Sequence, residues 1–133
     1  MSLYVVSGNP AFVDMVKAGL KTSQVKAFTT TADLLNHLLG SSRSKFELAF
    51  LELGGAPDAG HLIEFVKTSS LLLSVQLLVV GTEEQILALG AAVLAAVDGM
   101  LRTPCTATEI ALAVGQLRER GEPGGAALPA SSE

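Results

Sequence analysis

Few residues in the chain could do chemistry. Cys105 is the single cysteine, so it forms no intramolecular disulfide and has no second thiol for a metal site; the expected role is a small buried apolar residue. His37 falls in a helical pattern without a second histidine or a carboxylate at ligand spacing, and His61 stands at a helix start. Both are expected on the surface or at a cap rather than on a metal. Ser42 and Lys45 fit a Ser-x-x-Lys pattern, but the companion motifs of that enzyme class are missing. The chain also lacks Gly-x-Gly-x-x-Gly, a phosphate loop with Gly-Lys-Ser/Thr, and Gly-x-Ser-x-Gly. No enzyme motif remains. What is left is a set of residues that close apolar runs: Ser7, Gly8 and Asn9, then Glu52, then Gly81 and Thr82, then Arg102 and Thr103. Whether they act together depends on the elements that carry them.

Composition limits those elements. At 133 residues the chain has room for one domain. Hydrophobic residues make up 49% and charged ones 17%, with no tryptophan, so the core must be built from Leu, Val, Ala and Ile, as helices packed on a sheet are. The net charge of −4 and the scattering of the nine basic residues speak against nucleic-acid binding. No basic segment followed by an apolar run opens the chain, and the uncharged stretches fall short of the roughly 20 apolar residues that span a bilayer. A cytoplasmic protein that does not bind membranes is expected.

Residues 3–6 form an apolar run ending at Ser7, Gly8, Asn9 and Pro10, which predicts a buried strand, a turn and a helix start with Pro10 in its first turn. Phe12, Val13, Val16 and Leu20 follow at helical spacing. Residues 25–29 are β-rich, and Leu34, Leu35, Leu38 and Leu39 mark a helix that Gly40 stops. Leu48, Ala49, Phe50 and Leu51 form the core of a strand over 46–53, apolar on both faces as in parallel sheets. A Gly/Pro/Asp loop over 54–60 leads to a helix over 61–68, a buried strand over 75–80 and a long helix over 83–97. A short strand at Met100 and Leu101 stops at Pro104, and an amphipathic helix covers 107–120. The pattern is five βα units: an α/β fold with a five-stranded parallel sheet, doubly wound. Residues 1–120 are expected to be the domain. Residues 121–133, rich in Gly and Pro, are expected to be a flexible tail or linker, to which a further domain could be joined.

In such a sheet ligands bind outside the carboxyl ends of the strands, where Ser7, Glu52, Gly81, Thr82 and Thr103 would gather. A strand ending in a polar pair before Pro, an acidic residue closing strand three before Gly-Gly-Ala-Pro-Asp-Ala-Gly, and the stretch 98–104 ending at Pro104 belong together. Over residues 3–120 the chain resembles the receiver domains of response regulators, with their flavodoxin- or CheY-like (βα)5 order. The resemblance implies a phosphorylation pocket, and the departures imply that it is degenerate. Receivers hold Mg²⁺ with two acidic residues after strand one, and the matching positions are Ser7 and Gly8. The phosphoacceptor Asp is matched by Glu52, one methylene longer, and the Lys before the last strand's Pro by Thr103, ahead of Pro104. The Ser/Thr of strand four falls at Gly81 or Thr82, and the aromatic of strand five at Met100. Without these charges neither Mg²⁺ nor phosphoryl transfer is expected, and no other cofactor is. Glu52 then serves either as a fixed negative charge imitating the phosphorylated state or as a partly exposed strand-end carboxylate, with Thr82 and Thr103 as the obvious donors.

The strongest positive feature lies in residues 85–97, which carry no charge on any face of the predicted helix. A helix apolar all round is usually covered, so Ile86, Leu87, Leu89, Val93 and Leu94, with Met100, form a candidate interaction surface. In the resembled family helix four, strand five and helix five mediate dimerisation and partner binding, which implies a protein partner or homodimer. An exposed alanine-rich face would give the same composition. The expected function is a non-catalytic pseudo-receiver, a signalling module acting through protein contacts rather than aspartyl phosphorylation. The rivals are a phosphorylatable receiver using Asp58 or Asp98 in a rearranged pocket, and a small-molecule sensor using the cleft at Ser7, Gly8, Thr82 and Thr103. A close variant is the N-terminal atypical receiver of a larger pilus-assembly or localisation ATPase.

Overall fold

The computed structural model describes residues 2–21, 25–40, 47–55, 58–70, 72 and 74–121. The expected tail therefore lies outside the described residues, apart from Gly121 at the end of the last helix. In chain order the elements are β1 (Ser2–Val6), α1 (Pro10–Leu20), β2 (Val25–Phe28), α2 (Thr31–Gly40), β3 (Glu47–Glu52), α3 (Ala59–Thr68) and β4 (Val75–Gly81). They are followed by α4 (Glu83–Leu87), α5 (Ala91–Ala96), β5 (Gly99–Arg102) and α6 (Ala107–Gly121). The strands pair in the order β2-β1-β3-β4-β5, every pair parallel.

Side chains alternate between the two faces of the sheet. Leu3, Val5, Leu48, Phe50, Leu78 and Val80 point to one core, closed by Phe12, Val13 and Val16 of α1 and by Ile110, Val114 and Leu117 of α6. Tyr4, Val6, Ala49, Leu51, Leu77 and Val79 point to the other, closed by α2, α3 and Ile86 of α4. Burial on both faces is why the central strands have no polar alternation in the sequence. Local signals fix the helix starts: the Asn9 Oδ1 accepts from the Ala11 N–H at 3.0 Å ahead of Pro10. Thr106 and Glu109 cap α6 reciprocally, at 2.9 and 3.1 Å. Gly19 lets α1 and α6 touch closely, since a Cβ at that position would lie 2.5 Å from the Ala107 carbonyl oxygen.

Two expectations need correction. The predicted helix over 83–97 is two short helices, broken at Ala88, Leu89 and Gly90. Gly90 has φ +91, a conformation that an α-helix cannot pass through, and the Leu94 N–H restarts the ladder on the Gly90 carbonyl at 3.0 Å. The turn lets Leu89, Val93, Leu94 and Val97 pack partly on the core, which accounts for much of the apolar composition. The second concerns His37, expected on the surface or at a cap. Its half-buried ring packs against Tyr4 at 5.4 Å and Phe28 at 5.5 Å between centroids. His61 is exposed near the start of α3, as expected. Cys105 is buried as expected, and burial, with the Glu109 carboxylate as a lesser cause, raises its thiol pKa and so favours the thiol over the nucleophilic thiolate. Ser42 and Lys45 lie outside the described residues.

Candidate functional site

The parallel register brings the strand-end residues to one edge. Val6 pairs with Leu51, Glu52 with Val80 and Gly81 with Arg102, so the residues that follow β1, β3, β4 and β5 emerge side by side. Ser7 is buried at 4% exposure and is fixed to the sheet by its N–H, which donates to the Phe28 carbonyl at 2.9 Å. Its hydroxyl donates to Glu52 Oε1 at 2.7 Å and accepts from the Asn9 N–H at 2.9 Å. The hydroxyl that holds Glu52 is thus Ser7, rather than Thr82 or Thr103 as the sequence led us to expect. A short hydrogen bond to a carboxylate contributes about 1.5–3 kcal/mol, the lower end applying at this half-buried position.

Thr82 and Thr103 serve the backbone. The Thr82 hydroxyl accepts from the Gln85 N–H at 3.2 Å while the Thr82 N–H donates to the Gln85 side chain at 2.9 Å, forming a capping box at α4. The Thr103 N–H donates to the Gly81 carbonyl at 2.9 Å and laces the turn after β5 to the end of β4. Arg102 pairs with Glu83 at 3.3 Å on the exposed surface, where such a pair contributes little. Above Gly8 the space is open, with no atom within 4 Å of a Cβ there.

These donors do not fit Mg²⁺. A hard cation wants near-octahedral oxygen ligands, usually more than one of them anionic. Ser7 is engaged with Glu52, and Gly8 brings no side chain. Among the described residues no group of three or more His, Cys, Asp or Glu side chains is placed to hold a metal ion.

Asp98, a rival phosphoacceptor, lies at the other end of the sheet. Its backbone N–H donates to the Leu77 carbonyl at 2.9 Å, and its Oδ2 accepts from the Leu77 N–H at 2.8 Å and from Lys67 Nζ at 2.7 Å. Leu77 precedes the Val80 partner of Glu52 by three residues, roughly 10 Å along the strand. Asp58 is exposed at the N-cap of α3, on the wall of a groove of about 330 Å³ shared with Thr31, Leu35, His61 and Phe65. One buried charged residue escaped the sequence reading altogether. Glu47 opens β3 at 1% exposure and accepts from the Tyr4 hydroxyl at 3.3 Å; its position just ahead of an unbroken apolar run was the available signal.

The expected interaction residues divide. Ile86 faces the core at 7% exposure, and Leu89, Val93 and Leu94 are partly covered by it. Leu87 and Met100 are exposed, at 65% and 52%, and flank a groove of about 280 Å³ that Glu83 and Arg102 also line. Leu94 of α5 lines the same groove, and the exposed apolar side chains of the candidate surface, Leu87 and Met100, lie on α4 and β5.

Sheet order, parallel pairing and helices on both faces define a doubly wound α/β protein. No protein-family model and no curated protein sequence matches the chain. Solved structures do. The receiver domain of NtrX from Brucella abortus aligns with TM-score 0.71 at 14% identity, over 89% of this chain and 98% of that one. Full-length FixJ from B. japonicum aligns with TM-score 0.70 at 17% identity, over 92% of this chain and 60% of that one. The phosphorylated cyanobacterial phytochrome response regulator RcpA aligns with TM-score 0.68 at 17% identity, over 97% and 98%. The fold of this chain is that of a response-regulator receiver domain, as its sequence resemblance implies. Among the described residues no helix is long and apolar enough to cross a membrane.

Proposed function

We propose that this chain is a pseudo-receiver: a signalling module that works through protein contacts and does not accept a phosphoryl group at Glu52. The Ser7–Glu52 hydrogen bond carries this reading. Where a receiver would use negative charge to hold a cation beside the acceptor, a neutral hydroxyl donates straight to the carboxylate and occupies one of its oxygens. Phosphoryl transfer depends on positioning and on neutralising charge at the acceptor, and this arrangement supplies neither. Glu52 is accordingly a held strand-end carboxylate. Incubation with acetyl phosphate and Mg²⁺ followed by intact-mass measurement should show no added phosphoryl group. A stoichiometric gain mapped to Glu52 would sink the proposal.

The contacts are assigned to the groove between α4 and β5, because its flanking apolar side chains, Leu87 and Met100, are exposed while Ile86 anchors the same helix in the core. Leu87→Glu and Met100→Glu should both leave the fold intact. If the wild-type chain self-associates, either variant should shift its solution mass toward the monomer over a concentration series. A dimer that both variants leave unchanged would remove this face from the proposal.

A further inference from the structure

We propose that the Gln85 side chain is a latch that fills the top of β4 and pins α4, holding the α4/β5 groove in one arrangement without any modification at Glu52. Gly81 makes room for it, and Gly54 is its neighbour at ordinary contact distance. A Cβ on Gly81 would lie 2.8 Å from Gln85 Oε1, a separation that forces something to move, and a Cβ on Gly54 would lie 3.5 Å from Gln85 Nε2. The carboxamide therefore sits over the end of β4 and reaches toward the turn that follows β3. Glu52 Oε2 approaches the same Gly54 position, to 3.3 Å, so the carboxylate held by Ser7 and the carboxamide flank one glycine.

The same Oε1 accepts from the Thr82 N–H at 2.9 Å, while the Gln85 N–H donates to the Thr82 hydroxyl. The next two residues are Ile86, seated in the core, and Leu87, exposed beside the groove. A helix of five residues has no stability of its own, so α4 depends on its cap and on Ile86 for its position. Gln85 thus ties the sheet edge to the exposed helix through one side chain. The consequence for binding rests on the contact reading above. The latch itself is read from backbone exchange, which neither the phosphodonor result nor the solution mass reports.

The test is a double-substitution cycle on the full chain, followed by amide hydrogen exchange at Ile86, Ala88, Leu89 and Gly90, whose N–H groups bond within this turn. Gln85→Ala removes the cap acceptor and should speed exchange at these amides about fivefold. Gly81→Ala should do at least as much by expelling the carboxamide. Once Gln85 is already alanine, Gly81→Ala should add less than about twofold, because nothing is left to expel. Leu53 Cβ lies 3.1 Å from the same Cβ position and contributes in both backgrounds, so it drops out of the comparison. An equal factor for Gly81→Ala in both backgrounds would overturn the latch. If Gly81→Ala alone does not fold, recovery of folding on adding Gln85→Ala supports the latch, and failure to recover overturns it.

Discussion

Asp98→Ala should destabilise the chain by about 2–3 kcal/mol in urea denaturation while leaving the far edge of the sheet unchanged. Asp98 Oδ2 takes both the Leu77 N–H and the Lys67 ammonium. Removing it leaves a backbone donor and a cation at 19% side-chain exposure without this acceptor. Breaking a fully buried pair costs about 3–5 kcal/mol, and the 29% exposure of Asp98 scales that down. Lys67→Met should cost less, because Asp98 keeps the Leu77 N–H, and what is lost besides the ion pair is one hydrogen bond to the Val75 carbonyl. Asp98→Asn should fall between, keeping an acceptor but not the charge. A loss below about 0.5 kcal/mol for Asp98→Ala, the level of an ordinary surface change, would show that this tie does not hold the foot of β5.

The second large effect turns on sign. In an exposed helix Gly→Ala stabilises, because alanine loses less conformational freedom, by about 0.5–1 kcal/mol. At Gly19 the outcome should reverse. A Cβ there would lie 2.5 Å from a backbone oxygen of Ala107, and backbone cannot rotate aside as a side chain can. Helix α6 must shift away from α1, opening the core around Val16 and Ile110. Overpacking costs about 1–3 kcal/mol, so Gly19→Ala should lose about 1–2 kcal/mol after its helical gain, and Gly19→Val about 3 kcal/mol. Calorimetric unfolding of the two variants checks the order. A raised Tm for Gly19→Ala would mean that the two helices do not approach so closely.

The sequence disclosed the fold more fully than the site, for physical reasons. Leu48, Ala49, Phe50 and Leu51 have neighbours on both sides and helices on both faces, and such burial leaves an unbroken apolar run. The α4–α5 break was hidden because Gly90 sits in a stretch of Ala and Leu that favours helix, and its positive φ follows from how Leu89 and Val93 must turn to reach the core. Glu52 and Ser7 could be assigned to the same edge from strand order. That they bond to each other depends on the pairing of Val6 with Leu51, and register is a property of the assembled sheet. Thr82 was misjudged because a hydroxyl followed three residues on by Gln is a helix cap before it is a site donor. Asp98 shares a stretch with Thr103 and Pro104, yet the pairing of Leu78 with Gly99 puts it at the foot of β5.

The strand order also sets when the site can exist during synthesis. Ser7 and Glu52 are 45 residues apart, and no hairpin joins their strands, since every pairing in this sheet is parallel and needs a crossover. At about 5–20 residues per second, a ribosome takes a few seconds to deliver β3 after β1. In that interval β1 has only the short β2 to pair with, and its inner edge offers free backbone groups to any other strand. A nascent chain released before residue 52 would carry that open edge and no Ser7–Glu52 bond; once β3 docks, the open edge passes to β3 and stays there until β4 arrives, so the contact that defines the site marks the closing of the edge of β1 alone.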